Sequence, residues 1–352
     1  PAKATVALNE KQLAEGAHGY LSAPVPGVVG GLELAHERFG SQPRAALIEP
    51  AIALAEDGHR YGERQSIVLN WFWKRLSNHD GSLRALLGRE PAHDQPIQAG
   101  HLLKQRSLAK TLRAVRDHGK DGFYAGEVAE KIAKAHADNG GVLTVEDLAK
   151  YEAKLRDPLT FDYRGYTVHT MPPPSMGGVA VLSILSTLAA HDPHGDDLAT
   201  QTHLFIEAAR RAYADRRAIG ADPDMVDPAI DAALRRQLLD PDYYRARQPP
   251  IDLRRATPSS AVTPIQDGAQ VPDASPETTH LSVVDAQGNA VSCTITLSHA
   301  FGAWVVVPGT GVLLSSAMGA FSPDGANTLA PHKRMASSMS PSIVVAGDRV
   351  TT

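Results

Sequence analysis

The chain is short of cysteine, of long apolar runs and of surplus charge of either sign. A single cysteine, Cys293, excludes an internal disulfide framework and any multi-cysteine zinc site. It does not decide the compartment. No apolar run reaches the roughly 20 residues that a membrane-spanning helix needs. The formal net charge is -4. That balance offers no basic face for nucleic acid and no polybasic segment for a membrane surface. What remains is ordinary globular composition, with 43% hydrophobic and 21% charged residues. The 352 residues are enough for one large α/β core. The chain opens on Pro1 with no charged-then-apolar signal segment. It closes inside a strand–turn–strand pattern, 343–345, Gly347-Asp348 and 350–352. Both ends read as truncated.

Residues 1 to about 250 read as mostly helical. Gly30 and Gly31 precede an amphipathic stretch that ends at Gly40. The spacing predicts helices over 100–119 and 125–139, the second carrying Val128, Ile132 and Ala135 on one face and stopped by Gly140-Gly141. Thr144 and Asp147 form a capping-box pattern. A long helix is expected near 200–219 with Phe205, Ala209, Ala212 and Tyr213 along one stripe. Pro172-Pro173-Pro174 is a stiff break, and Ser175-Met176-Gly177-Gly178 leads from it into an apolar helix at about 179–190. Residues 248–277 are rich in Pro, Ser and Asp and read as an exposed linker. No internal repeat is present.

After 277 the texture turns to β. Residues 279–285 and 290–298 are strand candidates around a Gln287-Gly288-Asn289 turn. The second alternates cleanly, with Val291, Cys293, Ile295 and Leu297 on one face and Ser292, Thr294, Thr296 and Ser298 on the other. Short strands are expected near 304–307, 311–314, 341–346 and 348–352. A helix-rich half followed by strands fits a sheet layer covered by helices. If Asp285 pairs with Ala290 across a four-residue loop, Thr278 lies opposite Leu297, flanked by Thr296 and Ser298, to within one residue of register.

The junction at Thr278 is the informative place. A threonine hydroxyl is a poor nucleophile until a base lies beside it, and its own α-amine serves once the residue becomes a chain terminus. That requires cleavage of the Glu277–Thr278 bond, and a flexible linker running into a strand-initial threonine suits self-cleavage. Taken by itself, a Thr-Thr pair entering a strand is ordinary β propensity. His280 shares a strand face with Thr278 and competes as a base, against a reading as a packed structural histidine. His191 and His194 form an H-x-x-H without a third ligand nearby, a poor metal site. The segment from Pro308 to Gly311 lacks the Gly-Lys that a phosphate loop carries. Cys293 falls on the apolar side of its strand and reads as core.

Beyond this, the run Thr278-Thr279-His280-Leu281-Ser282-Val283-Val284-Asp285, followed by Gly288-Asn289-Ala290-Val291-Ser292, resembles the start of the small subunit of γ-glutamyltransferases. So do Phe301-Gly302, Pro308-Gly309-Thr310-Gly311-Val312-Leu313-Leu314 and Lys333-Arg334-Met335-Ala336-Ser337-Ser338-Met339-Ser340-Pro341. Upstream, Val25-Pro26-Gly27, Asp147-Leu148 with Tyr151, Tyr163-Arg164-Gly165-Tyr166, the stretch 172–178 and Ala212-Tyr213-Ala214-Asp215-Arg216 fall in family order. The likeness covers nearly the whole chain. It implies an α+β fold, the four-layer αββα sandwich of the N-terminal-nucleophile hydrolases, made as one precursor. Residues 1–277 would be the large-subunit part and 278–352 the small-subunit part, together one intertwined domain and, after cleavage, a heterodimer. Thr278 would be the nucleophile and its α-amine the general base, cleaving or transferring a γ-glutamyl, glutathione-like amide through an acyl-enzyme, with water or an amine as acceptor. Thr296 matches the position that orients the nucleophile. Ser298, Ser337 and Ser338 match substrate-binding positions, the last two holding the donor's α-carboxylate. No cofactor or metal is implied. The resemblance implies a periplasmic or secreted enzyme.

The sequence departs from the family pattern in places that bear on the donor. Ser298 stands where an asparagine is usual. Ala320 replaces the aspartate that pairs with the donor's α-ammonium, and Ala317 replaces another polar partner of that group. A charged ammonium without acceptors is costly in a pocket. An acylase for a glutaryl-like donor, as in the related cephalosporin acylases, is therefore one alternative. A non-catalytic paralogue or unprocessed scaffold is another. The family's carboxylate-binding arginine is expected just before Pro1, and the Gly-Gly loop of the oxyanion hole just after Thr352.

Overall fold

The computed structural model describes residues 18–77, 80–87, 96–191, 197–220, 222–247, 249–265, 277–322 and 325–351. They fall into two compact units. The first runs to Lys154 and includes Leu297–Gly319; the second comprises Leu155–Thr296 and Ala320 onward.

The first unit is mainly helical: α1 (Val28–Phe39), α2 (Arg44–Asp57), α3 (Glu63–Leu76), α4 (Asp80–Leu87), α5 (Arg106–His118), α6 (Asp121–Tyr124), α7 (Gly126–Asp138) and α8 (Val145–Ala149). The two-residue strands β1 (His59–Arg60) and β2 (Leu102–Leu103) pair antiparallel. The helix expected from residue 100 thus begins only at Arg106, because the preceding leucines form β2 against β1. Helix α5 buries Ala109, Thr111 and Val115 on one face. It stops at Gly119, whose φ of 60° suits a residue without Cβ. Helix α7 buries Val128, Ala129, Ile132, Ala135 and His136, as its spacing predicts. The capping box is present: Thr144 Oγ1 accepts the Asp147 N–H at 3.2 Å and Asp147 Oδ2 accepts the Thr144 N–H at 3.0 Å. Gly30 and Gly31 do not precede a helix; they lie inside α1, where a Cβ on Gly30 would come within 2.9 Å of the Tyr151 ring. The core joins Phe123, Ile132 and Leu148 to Val305, Val307 and Leu314. The expected strands at 304–307 and 311–314 are reduced to a short backbone pairing, Leu314 N–H to Val305 C=O at 2.9 Å and Val307 N–H to Val312 C=O at 2.8 Å.

The second unit holds a four-stranded antiparallel sheet in the order β3 (Leu159–Tyr163), β4 (Tyr166–Thr170), β7 (Ser342–Ala346), β8 (Arg349–Val350). It also holds α9 (Met176–His191), α10 (Leu198–Ile219), α11 (Pro228–Leu238) and α12 (Pro241–Ala246). Leu159, Met176, Val179, Leu182, Ile219 and Leu238 form its apolar core. Full burial of each large apolar side chain there contributes about 2 kcal/mol. The hairpin β5 (Glu277–Val284) and β6 (Ala290–Ser298) forms a separate two-stranded sheet, tied to β7 where Ser292 Oγ accepts the Ser342 N–H at 3.1 Å.

Two readings of the sequence are corrected here. On α10 the buried residues include Leu204, Glu207, Ala208, Arg211, Ala212, Asp215, Arg216 and Ile219, whereas Phe205 and Tyr213 are exposed. Polar groups lie on the inner face because each finds a partner. Glu207 and Arg211 pair at 2.6 Å, and Asp215 pairs with Arg247 while accepting the Ile265 N–H at 2.7 Å. Those same groups hold the segment read as an exposed linker. Arg211 donates to the Pro249 carbonyl at 2.8 Å, Glu207 accepts the Thr257 N–H at 2.9 Å, and Thr257 and Val262 are buried. Residues 249–265 are therefore laced to α10; residues 266–276 lie outside the described residues. No described helix is long and apolar enough to cross a membrane.

Candidate active site

The β5–β6 hairpin turns through three residues, not four. The Asp285 N–H donates to the Asn289 carbonyl at 3.0 Å, and Asp285 Oδ1 accepts the N–H groups of Gln287 and Asn289. This side-chain-capped turn shortens the loop and shifts the register by one from that expected. Thr278 consequently faces Thr296 itself and not Leu297. Its hydroxyl donates to Thr296 Oγ1 at 3.2 Å. The next pair on the same face is His280 and Thr294, bonded at 2.7 Å, and His280 Nε2 also meets Ser282 Oγ at 3.1 Å. Both ring nitrogens are thus engaged within the hairpin and neither is directed at Thr278. The histidine is exposed and hydrogen-bonded, not packed in a core as the sequence suggested. Cys293 is a free, half-buried thiol, so its reading as core is also too strong.

Ser337 and Ser338 lie on a loop of the same unit that is pinned along its length. Asp222, fully buried, accepts the Arg334 N–H at 2.8 Å and pairs with Arg156 at 3.3 Å. Asn327 Oδ1 accepts the Ala336 N–H at 2.9 Å. The Asn327 amide in turn donates to the Ala320 carbonyl at 2.8 Å and to Ser322 Oγ at 3.1 Å. The Ser337 N–H donates to the Pro174 carbonyl at 3.0 Å, and the Ser337 carbonyl accepts the Met176 N–H at 2.7 Å. Ser175 Oγ donates to the Met339 carbonyl. A Cβ on Gly177 would stand 2.2 Å from the Ser338 carbonyl oxygen, so only glycine lets the start of α9 approach this loop. The break at 172–178 therefore seats the serine loop. Ser337 Oγ accepts the Met339 N–H at 3.2 Å, and Ser338 Oγ accepts from Arg216 Nη2 at 2.5 Å.

Ser298 ends β6 with φ 72°, in the left-handed region, and belongs with Ala317 to the first unit. The second unit holds Thr278, Thr296, Ser337, Ser338 and Ala320. The structure joins Thr278 to Thr296 directly, and the consecutive Ser337 and Ser338 bond different partners. Sequence reasoning did not single out Asp222, Asn327 or Arg216 as supports of this loop. Arg216 lay in a stretch noted only for its order, and no spacing pattern marks the other two. His191 Nδ1 bonds the Thr187 carbonyl at 2.8 Å, and His194 lies outside the described residues.

Helices combined with antiparallel sheets make this an α+β structure, and its likenesses fix the type. Cephalosporin acylase from Bacillus halodurans superposes with a TM-score of 0.80 at 28% identity, over 97% of this chain and 62% of that one. The gamma-glutamyltranspeptidase of Helicobacter pylori superposes with a TM-score of 0.66 at 35% identity, over 73% of each. The class is that of the N-terminal-nucleophile hydrolases, with their four-layer αββα sandwich. The family model described as gamma-glutamyltranspeptidase matches residues 1–352, and the chain belongs to that family. The glutathione hydrolase proenzyme of Escherichia coli (strain K12) is 38% identical over 341 residues, covering 93% of this chain. The chain spans 57% of that relative's length.

Proposed function

We propose that the whole protein is a self-processing N-terminal-threonine amidohydrolase or acyltransferase of the γ-glutamyltransferase type. The observation that carries this reading is the Thr278–Thr296 hydroxyl pair at the head of β5. Hydrolysis of the Glu277–Thr278 bond consumes one water and frees the Thr278 α-amine. That amine takes the Thr278 hydroxyl proton as Oγ1 adds to the donor's amide carbonyl. The C–N bond breaks, the leaving amine takes a proton, and an ester acyl-enzyme remains. Water or a second amine resolves it. Thr296 orients the attacking oxygen, and Ser337 and Ser338 hold the donor's carboxylate as neutral donors. Cleavage would divide the chain into a part ending at residue 277 and a part beginning at 278, retained together as a heterodimer. A periplasmic or secreted location belongs to the same reading.

A second reading concerns the donor. Ala320 and Ala317 supply no side-chain acceptor for an α-ammonium, and Ser298 has no amide. This favours a glutaryl-like donor, in keeping with the likeness to a cephalosporin acylase. The deciding experiment on processing is intact mass spectrometry of the complete protein beside a Thr278→Ala control. The expected result is a break before Thr278 that vanishes in the control. An unbroken, well-folded complete protein sinks the catalytic reading and leaves a non-catalytic paralogue. Turnover of γ-glutamyl and glutaryl amides of one chromogenic amine then distinguishes the two donors.

A further inference from the structure

A serine hydroxyl donates and accepts, so two adjacent serines do not by themselves choose between a carboxylate and an ammonium. Here their neighbours bias that choice. A guanidinium carries donors and no acceptor. The bond from Arg216 Nη2 to Ser338 Oγ at 2.5 Å therefore occupies a lone pair and turns the hydroxyl proton away from the arginine. Ser337 Oγ receives the backbone N–H of Met339, another donor with no acceptor capacity, at 3.2 Å. Each hydroxyl keeps one lone pair and its proton, and with a donor already seated on one side the proton is directed away from it. Two O–H donors suit the oxygens of a carboxylate, and the Arg216 charge 2.5 Å from Ser338 Oγ disfavours an ammonium beside it. The bond from a charged donor also polarises the Ser338 O–H and strengthens it as a donor in turn. Arg216 is only 6% exposed and comes from α10, with its guanidinium 5.1 Å from the Tyr213 ring.

We propose that Arg216 is a positioning residue that makes the Ser337–Ser338 pair selective for donors bearing a carboxylate, whether or not they carry an α-ammonium. The inference rests on the reading of these serines as the donor-binding pair. It extends that reading by assigning the selectivity to a residue on another element, and it accounts for how a carboxylate subsite persists where Ala320 has removed the ammonium partner.

The test uses the complete, processed protein with glutaryl and butyryl p-nitroanilides, which differ by one carboxylate. Arg216→Met should raise KM for the glutaryl donor by about tenfold or more, the loss of one charge-assisted hydrogen bond, with kcat and the butyryl donor changed less than about threefold. Arg216→Lys restores a donor at the same place and should recover most of the preference. Ser338→Ala should lose it as Arg216→Met does, and carries the test if that variant fails to fold. Equal effects on both donors, or a lysine variant no better than methionine, overturn the proposal. If neither donor is turned over, calorimetric titration with glutarate and glutaramide reads the same serine pair. Preference for glutarate that disappears in the variants sustains the inference while the proposed activity fails; no preference in the parent protein defeats it.

Discussion

Thr278 and Thr296 share a hydroxyl–hydroxyl hydrogen bond of 3.2 Å across the β5–β6 hairpin, and the three-residue turn capped by Asp285 sets that register. The bond favours one χ1 rotamer of Thr278, the proposed nucleophile, before any substrate arrives. Thr296→Val keeps the branched shape and removes the acceptor. Self-cleavage and kcat should each fall at least about tenfold, the worth of one hydrogen bond to the reacting group, with the unfolding midpoint moved little. Timed mass spectrometry and donor turnover check this, and a variant that processes at the parental rate removes Thr296 from the mechanism.

Gly177 meets the serine loop where no side chain fits. In Gly177→Ala the new methyl would stand 2.2 Å from the Ser338 carbonyl oxygen and 2.7 Å from that of Met339. Both are backbone atoms of a loop anchored by Asp222 and Asn327, so relief requires the loop to shift. A cost of about 1–3 kcal/mol in urea unfolding is expected, with a rise in KM for any carboxylate donor that outweighs the change in kcat. Alanine at Gly31 of α1, where a Cβ meets nothing within 4 Å, is the control and should be neutral or slightly stabilising.

Ser298 holds φ 72° at the end of β6. Among residues with a Cβ, asparagine tolerates this region best. Ser298→Asn should therefore stabilise the protein, by up to about 1 kcal/mol, measured as a higher thermal midpoint. The same change restores the amide usual in the family pattern, so a gain in turnover of γ-glutamyl over glutaryl donors is the accompanying expectation.

His136 is fully buried, edge-on to Tyr20, and burial pushes its pKa down to about 4 from an ordinary 6.5. The folded state keeps it neutral while the unfolded state binds a proton below 6.5. Stability is therefore intact above about pH 6.5 and declines as pH falls toward 4, by at most about 1.4 kcal/mol per pH unit from this group. Below about pH 4 both states are protonated and its slope ends. Chemical unfolding of parent and His136→Gln across this window checks the assignment; an unchanged slope in the variant rejects it.

Local signals carried the parts of this structure that depend on near neighbours in the chain. The Thr144–Asp147 capping box, the apolar face of α7 and the polar face of the hairpin bearing Thr278 and Thr296 all follow from spacings of two to four residues. At that range backbone geometry alone decides who meets whom. Family likeness then singled out Thr278, Thr296, Ser337 and Ser338. Tertiary structure decided the rest. The loop around the serines is built by Asp222, which is 112 residues from Arg334, and by Arg216, which is 122 residues from Ser338. Hydrophobic periodicity found Ala212 on the inner face of α10 but set the exposed Phe205 and Tyr213 beside it, because it weighs apolarity and has no knowledge of partners. Glu207, Arg211 and Asp215 are buried since each is satisfied there, and in being satisfied they draw residues 249–265 onto the helix. The hairpin register differed by one residue for a similar reason: a single carboxylate, Asp285, found the N–H groups of a tighter turn. The sequence alone thus determined the family, the strand that begins with Thr278 and the hydroxyls on its face; which groups aim those hydroxyls was settled only when distant polar side chains found one another in the folded core.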